Sequence, residues 1–425
     1  MQPTPPILDF LLDPSNGSAS KKFRDNIRAY NSMFAFTSMG AKIDTSVNDQ
    51  PAPYVFKISG HCHHLMGSLL PVDGESPKFA QLYVFDTAHE VANRLLPFTR
   101  DSKSSSLDEN IVVDLLRMLD ETNELAKLFR KARDKTQNIQ SVDYKLRLLG
   151  KRNHDSRQYD DPTSNDIGGL VVGDIGDFFS ERDIIIECFS GSLKRISKLH
   201  PKFMALQYPL LFPYGEDGYS CNIMFVDHGH GKTRKRSRVP MRAYYAYLIN
   251  ERPGCDNTII KGGRLYQQFL VDAFVNVEED RLDYIRANQK DLRTEVYKGI
   301  HEAVLNRDVE GFSAGKIIVP SSLTGSPRYM INNYQDAMAI CRVYGNPDLF
   351  ITFTCNVNWP EIRRELTKGR IYKHEDKPDI ITRVFRSKVI DMLAFIKSGK
   401  PFGQIIAGAL SFISFLLNIT TFYSY

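Results

Sequence analysis

The sequence predicts an α+β protein of more than one domain, and three observations support this fold class. The chain has 425 residues, which is long for a single hydrophobic core. Some stretches repeat apolar residues at helical spacing, whereas others alternate apolar and polar residues as strands do. The content of 42% hydrophobic and 25% charged residues is ordinary for globular proteins. We therefore expect two or three domains that each bury a core.

The first predicted region, residues 1–150, mixes helices and strands. Residues 22–36 predict a helix, and residues 54–58 and 79–85 have the β-branched and aromatic content of strands. Residues 107–135 repeat apolar side chains at helical spacing with charges between them, which predicts one long amphipathic helix. This region is therefore expected to be an α+β unit that ends in that helix.

The second predicted region, residues 151–262, begins with a polar linker over residues 151–166. Residues 169–172 and 183–189 predict two strands joined through a turn rich in glycine and aspartate. Residues 199–219 contain three prolines among many aromatic rings, which is too many breaks for regular structure. We expect this last stretch to be an irregular cover packed over a core.

A basic run lies near the end of the second region and is our candidate DNA-binding element. Its cations are Lys232, Arg234, Lys235, Arg236, Arg238 and Arg242, and they are followed by Tyr244, Tyr245 and Tyr247. Cations neutralise phosphates and aromatic rings stack on bases, so we assign DNA binding to these cations together with Tyr244 and Tyr245. A solvent-exposed loop or a nuclear localisation signal would explain the same residues.

The third predicted region, residues 263–425, carries three helical patterns at residues 264–293, 336–344 and 380–396. Its end is unusual because residues 401–425 contain no charged side chain. Polar residues dilute the apolar run, so a buried strand pair or a non-native C-terminus explains this tail better than a membrane anchor.

Residues 350–362, FITFTCNVNWPEI, read as a strand that runs into a helix. Residues 350–355 alternate in the period of a half-buried strand. Pro360 suits a first helical position, where its missing N–H would be unpaired anyway, and Glu361 suits the positive end of the helix dipole. Local pattern alone gives this stretch no function beyond a core strand and a loop.

The charge and the cysteine content limit the kinds of binding partner and the cellular compartment that we expect for this protein. The net charge of +5 permits a polyanionic partner without requiring one. The six cysteines form no C-x-x-C pair, which argues against a zinc module and a disulfide framework and favours a reducing compartment. The N-terminus lacks the basic and long apolar segments of a signal peptide, so we do not expect secretion.

Several phrases of the sequence, taken in order, resemble the N-terminal helicase-like region of Helitron transposases, which are rolling-circle DNA transposon proteins. These phrases are residues 26–42 (NIRAYNSMFAFTSMGAK), 190–218, 264–288, 318–346 and 350–362. The resemblance extends from about residue 1 to about residue 407. Several separate phrases in one order are more specific than any single motif.

The resemblance implies that residues 263–425 form an incomplete HUH Rep-like nuclease domain, an antiparallel sheet with packed helices. Residues Thr352, Thr354, Asn356, Trp359 and Pro360 would then be scaffold residues of its first motif. In the complete family protein, two histidines on a neighbouring strand bind a divalent cation, one or two tyrosines attack the DNA, and a separate helicase domain uses ATP.

The sequence departs from this pattern after Ala407, where no H-x-H triplet follows the first motif and the ending from about residue 408 is unlike the family. We therefore expect a transposase fragment that binds DNA, in single-stranded form, in the nucleus or the cytoplasm, without complete nuclease or helicase activity. We assign no catalytic residue, metal ligand, cofactor or small-molecule substrate. The alternatives are a host-retained interaction protein that no longer binds DNA and a tail-anchored membrane protein.

Other motifs do not supply the missing chemistry. The H-x-H triplets at residues 61–63 and 228–230 precede the first motif instead of following it. Residues 231–233, Gly-Lys-Thr, imitate the end of a phosphate-binding loop, but Val226 stands where that loop needs glycine. Tyr423 and Tyr425 lie in the uncharged tail with no histidines before them in that region, so we do not read them as nucleophiles.

Overall fold

The computed structural model describes the greater part of the chain and divides it into two units. The described residues are 2–49, 56–59, 63–72, 74–99, 107–137, 144–148, 168–172, 184–187, 193–226, 237–252, 254–288, 319–323, 326–368 and 371–408. Unit 1 comprises Met1–Thr45, Ile58–Ala273 and Leu366–Lys377, and unit 2 comprises Ser46–Lys57, Phe274–Glu365 and Pro378–Tyr425. The predicted boundaries near residues 150 and 262 remain predictions.

Most described helices lie in unit 1. They are α1 (Pro6–Leu12), α2 (Gly17–Asp25), α3 (Ile27–Phe34), α4 (Glu90–Thr99), α5 (Glu109–Thr122), α6 (Glu124–Gln137), α7 (Phe203–Gln207), α8 (Met241–Leu248), α9 (Thr258–Lys261) and α10 (Gly263–Ala287), which begins there. The helix predicted over residues 22–36 is therefore present as α2 and α3. It breaks at Asn26, whose side chain donates to the Lys22 carbonyl at 3.0 Å.

The single long helix predicted over residues 107–135 is wrong, because two helices meet there at Asn123. The backbone N–H of Asn123 closes the last turn of α5 on the Leu119 carbonyl. Its side-chain oxygen accepts hydrogen bonds from Leu125 N and Ala126 N, at 2.9 and 3.1 Å, and so caps the start of α6. Asn favours such a cap because its short side chain satisfies N–H groups that have no helical partner. Apolar residues recur at helical spacing on both sides of Asn123, so the sequence pattern does not indicate the break.

The described strands form three small sheets. The strands are β1 (Ser38–Met39), β2 (Lys42–Asp44), β3 (Lys57–Ser59), β4 (His64–Met66), β5 (Tyr144–Leu148), β6 (Gly168–Val172), β7 (Ile184–Glu187) and β8 (Lys194–Arg195). The sheet orders are β1-β4-β8, β2-β3 and β6-β5-β7, and the pairs of the first and last sheets are antiparallel.

The strand predictions had mixed outcomes. The strands predicted at residues 169–172 and 183–189 are confirmed as β6 and β7, but they do not pair with each other. β5 lies between them, with Leu146 opposite both Leu170 and Ile186. The strand predicted over residues 79–85 is wrong, because Phe79–Tyr83 is a short 3-10 helix. Of the run at residues 54–58, the structure describes Phe56 and the residues of β3; the linker at residues 151–166 lies outside the described residues.

Two of the resembling phrases pack directly against each other in unit 1. From residues 26–42, the Asn31 amide donates to the Gln207 carbonyl at 2.9 Å, and the Thr37 hydroxyl donates to the Gln207 side-chain oxygen at 2.8 Å. All three side chains are buried, so these bonds satisfy polar groups that water cannot reach. Residues 199–219 are confirmed as a largely irregular, buried stretch that includes α7.

A third phrase joins them through a fully buried polar group, the carboxylate of Asp272 on α10. His64 Nε2 lies 2.7 Å from Asp272 Oδ2, and the Tyr208 hydroxyl donates to the same oxygen at 3.0 Å. His64 and Asp272 have no exposed side-chain surface. The His64 ring also stacks on Phe203, with centroids 3.8 Å apart. This contact ties β4, α10 and the irregular stretch into one core.

Unit 2 contains the remaining described helices: α11 (Pro327–Tyr344), α12 (Pro360–Leu366) and α13 (Pro378–Lys397). The helices predicted at residues 264–293, 336–344 and 380–396 are confirmed in α10, α11 and α13. α11 begins nine residues before the prediction, where Ser326 caps it by accepting from Tyr329 N at 3.1 Å. None of its residues is buried.

Among the described residues, no helix is both long and apolar enough to cross a bilayer. Of the uncharged tail at residues 401–425, residues 409–425 lie outside the described residues.

Candidate nucleic-acid interface

An Asn-initiated turn places Trp359 at the start of α12 in unit 2. The Asn356 side chain accepts from Asn358 N at 2.9 Å, and its carbonyl accepts from Trp359 N at 3.1 Å. Asparagine is suited to this because its short side chain can bond to the backbone two residues on. The Trp359 carbonyl then accepts from Arg363 N, and Pro360 begins the helix as predicted.

Trp359 belongs to a group of three rings that we call the aromatic cluster, formed by Phe353, Trp359 and Phe385. The ring centroids lie 5.8–6.4 Å apart and the planes are within 26° of parallel. All three side chains are partly exposed. Phe385 enters from α13, where Ile381 and Val389, one turn to either side, are buried and fix that face of the helix inward. The helix that carries Phe385 is therefore held in place by buried side chains, while the three rings remain partly open to solvent.

A cation lies over the cluster. Lys388, one turn after Phe385 on α13, places its ammonium 5.8 Å from the centre of the Trp359 ring. The same ammonium donates to Glu361 Oε1 at 2.6 Å. This hydrogen bond is the main reason that the pKa of the Glu361 carboxyl lies below its ordinary value. A cation near a ring face is attracted by the electron-rich π-system.

Exposed arginines extend this positive charge along the same helices. Arg383 and Arg386 on α13 are exposed, and Arg363 on α12 donates to the Asn358 side chain at 3.1 Å. Partly exposed parallel rings flanked by cations can stack on unpaired bases while the cations neutralise the phosphates beside them. The arrangement in unit 2 can therefore hold a single-stranded nucleic acid.

The predicted strand at the centre of this site is not formed. Residues 350–355 have no helix or strand assignment, so the expected entry strand of a Rep-like sheet is wrong for this segment. The side chains of this segment still alternate in burial, because Phe353 and Cys355 are partly buried whereas Thr352 and Thr354 are exposed. A strand requires a partner to hydrogen-bond with, and no described strand pairs with this segment.

The predicted basic run lies in unit 1, and the structure describes only its end. Lys232, Arg234, Lys235 and Arg236 lie outside the described residues. Arg238 and Arg242 are exposed, the former opposite Met224 in an isolated antiparallel bridge. The remaining predicted DNA-binding residues are two tyrosines of α8.

Those tyrosines differ in accessibility. Tyr245 is only 6% exposed and its ring packs edge-on to Phe269, 6.1 Å away, in the core of unit 1. Tyr244 donates its hydroxyl to the Asp217 carbonyl at 3.3 Å, and burial raises its pKa to about 12. The ring of α8 that does face solvent is Tyr247, with the guanidinium of Arg252 3.7 Å from its centre.

Two members of the unit 2 site escaped sequence reasoning. Phe385 lies within the helical pattern predicted at residues 380–396 without any further role, and Lys388 is not singled out by the sequence analysis. A usable signal was present, because an aromatic residue followed three positions later by lysine places a ring and a cation on one helix face. Nothing in the local sequence connects that face to Trp359.

The described residues offer no donor set for the divalent cation that a complete family nuclease would use. No group of three or more His, Cys, Asp or Glu side chains among them is placed to hold a metal ion. Of the triplet at residues 61–63, only His63 is described, and the triplet at residues 228–230 and the Gly-Lys-Thr of residues 231–233 lie outside the described part. We derive no step through a metal.

A match to a known protein family overlaps this part of the chain. The family described as the Helitron helicase-like domain at N-terminus matches residues 244–412, a range that includes the whole aromatic cluster. Three of the five resembling phrases lie within the match, and those at residues 26–42 and 190–218 lie before it. No curated protein matches the chain. Residues 244–412 of the chain are therefore similar to the Helitron helicase-like domain at N-terminus.

Proposed function

We propose that this chain, whose residues 244–412 match a Helitron helicase-like domain, associates with single-stranded DNA through the aromatic cluster of unit 2 and the cations beside it. The observation that carries the proposal is the nearly parallel, partly exposed set of three rings with Lys388 above Trp359. Bases in a duplex already stack on one another, whereas bases of a single strand are free to stack on protein rings. Unpaired DNA is therefore the substrate class that this surface suits.

The association should be weak and tolerant of sequence. Every base has a π-face, so stacking does not discriminate strongly among bases. The cations on α13, Arg383, Arg386 and Lys388, are side chains at the surface that would meet phosphates, which carry no sequence information. The proposal covers association only and includes no cleavage step.

Salt dependence tests the proposal. If Arg383, Arg386 and Lys388 each neutralise one phosphate, the slope of log affinity against log salt is about −2, and affinity falls roughly 20-fold between about 50 and 200 mM salt. Fluorescence anisotropy of a labelled oligothymidylate measures this slope. The matched control is the same oligonucleotide annealed to its complement, which should bind more weakly. Binding that is indifferent to salt, or stronger to the duplex, would count against the proposal.

A second candidate function, a protein-interaction role without DNA contact, is favoured by one specific observation. α11 carries several exposed apolar side chains, and Phe350, which follows it, is 96% exposed. Contiguous exposed apolar surface commonly marks interaction sites. The salt titration separates the two candidates, because only DNA association predicts a protein that binds the oligonucleotide with a negative salt slope.

A further inference from the structure

We propose that Glu361 acts as a built-in competitor for DNA phosphate at Lys388, so that the ion pair of these residues restrains nucleic-acid binding at the aromatic cluster. This inference rests on the proposed function, because it concerns the regulation of that same site. It assigns Glu361 an inhibitory role, opposite to that of the cations around it.

The geometry brings the carboxylate to the position that suits a phosphate. Glu361 is the second residue of α12 and lies two positions after Trp359, so the turn that places the indole also places the carboxylate. Its Oε1 accepts from Lys388 Nζ at 2.6 Å, while that ammonium lies over the Trp359 ring. A base stacked beside Trp359 would bring its own phosphate toward the same ammonium.

The contact is suited to exchange. The Lys388 and Glu361 side chains are 33% and 39% exposed, so water and an incoming phosphate oxygen can reach them. Exposed ion pairs contribute little net free energy, because solvent screens them and side-chain entropy opposes them. A phosphate that replaces the carboxylate at the Lys388 ammonium therefore loses little free energy by breaking the ion pair.

The carboxylate continues to oppose DNA after it is displaced. Glu361 is attached to the residues that begin α12, so it remains close to any phosphate held by Lys388, and like charges repel. The pKa of its carboxyl is lowered by the Lys388 hydrogen bond, so the group is ionised at neutral pH. Removal of this charge should strengthen binding, whereas removal of most charged residues at a DNA site weakens it.

The test compares E361Q with the wild-type chain by anisotropy of a labelled oligothymidylate. Glutamine keeps the shape of the side chain but removes its charge. E361Q should bind about two- to fivefold more tightly at about 50 mM salt, and this gain should shrink as salt rises, because salt screens the repulsion between the Glu361 carboxylate and a bound phosphate. The matched control is E365Q, which removes the same charge from the same helix, where Glu365 pairs with Arg364 at 3.2 Å. E365Q should change affinity less than E361Q.

The outcomes separate the inference from the proposed function. Wild-type binding with a negative salt slope, but no gain in E361Q beyond that of E365Q, would overturn the inference and leave the proposed function in place. Absence of wild-type binding to the oligonucleotide would overturn both. The double variant E361Q/K388M should lose the gain of E361Q; if it keeps the gain, Glu361 does not act through Lys388 and the inference fails.

Discussion

Replacement of Asp272 by alanine is expected to lower the free energy of unfolding of unit 1 by about 2–6 kcal/mol, because two buried groups each lose a hydrogen-bond partner at a cost of about 1–3 kcal/mol. The carboxylate accepts hydrogen bonds from the buried His64 ring and from the Tyr208 hydroxyl. Neither of those groups can turn to solvent, so both lose a partner that water cannot replace. Urea denaturation followed by far-UV circular dichroism measures the loss.

The matched control lies on the same helix. Asp283 pairs with Arg286 at 3.0 Å, but both side chains are about half exposed, so alanine at position 283 should cost about 0.5 kcal/mol or less. The double variant His64→Leu/Asp272→Leu should cost less than the sum of its single variants, because it removes both polar partners together. Equal urea midpoints for the Asp272→Ala and Asp283→Ala variants would show that the buried pair is not what holds this core.

Replacement of Trp359 by alanine is expected to weaken binding of single-stranded DNA by about 1–3 kcal/mol, the stacking contribution of one base, which is roughly 5- to 150-fold in affinity. The indole supplies the largest ring of the aromatic cluster and the face over which Lys388 lies. Anisotropy of a labelled oligothymidylate provides the measurement, since it does not depend on a tryptophan signal.

Two further variants make this result specific. Trp359→Phe keeps a ring and should retain most of the affinity. Phe350→Ala removes a ring that is 96% exposed but is not in contact with the aromatic cluster in the described contacts, and it should change the affinity little. If Trp359→Ala binds as well as the wild-type chain, or if Phe350→Ala loses as much, the cluster is not the stacking surface.

Much of the helical framework could be predicted from the sequence, because a helix records its buried face in local spacing. The apolar residues of 380–396 repeat every three to four positions, and α13 buries Ile381 and Val389 from that same repeat. Pro360 likewise predicted the start of α12 from a purely local property, its fixed backbone angle and missing N–H.

Features that depend on distant partners could not be predicted. The alternation over residues 350–355 is that of a strand, but strand formation requires a neighbour that the segment does not itself encode. The pairing of β5 between β6 and β7 is set by long-range contacts in the same way. At residues 79–85, the Gln81 side chain accepts from Lys78 N at 2.9 Å and favours a helical turn over a strand.

In the candidate site, too, the residues with a local sequence signal could be predicted and those that depend on tertiary packing could not. Trp359 and Asn356 stood out in the sequence because a lone tryptophan after an apolar stretch is unusual, and both take part in the site. Phe385 and Lys388 did not, because their helix meets Trp359 only through tertiary packing. The basic run drew more attention in the sequence, yet its described part places Tyr245 in the core and leaves only Arg238, Arg242 and Tyr244 at or near the surface.

The intrinsic fluorescence of Trp359 tests the central claim most directly, because Trp359 is the only tryptophan of the 425 residues and lies within the proposed stacking surface. Titration of the wild-type chain with unlabelled oligothymidylate should quench its emission saturably, with the same midpoint as the anisotropy of a labelled strand and with weaker binding as salt rises. Binding detected by anisotropy without any change in Trp359 emission would contradict the account, because the DNA would then lie elsewhere on the chain.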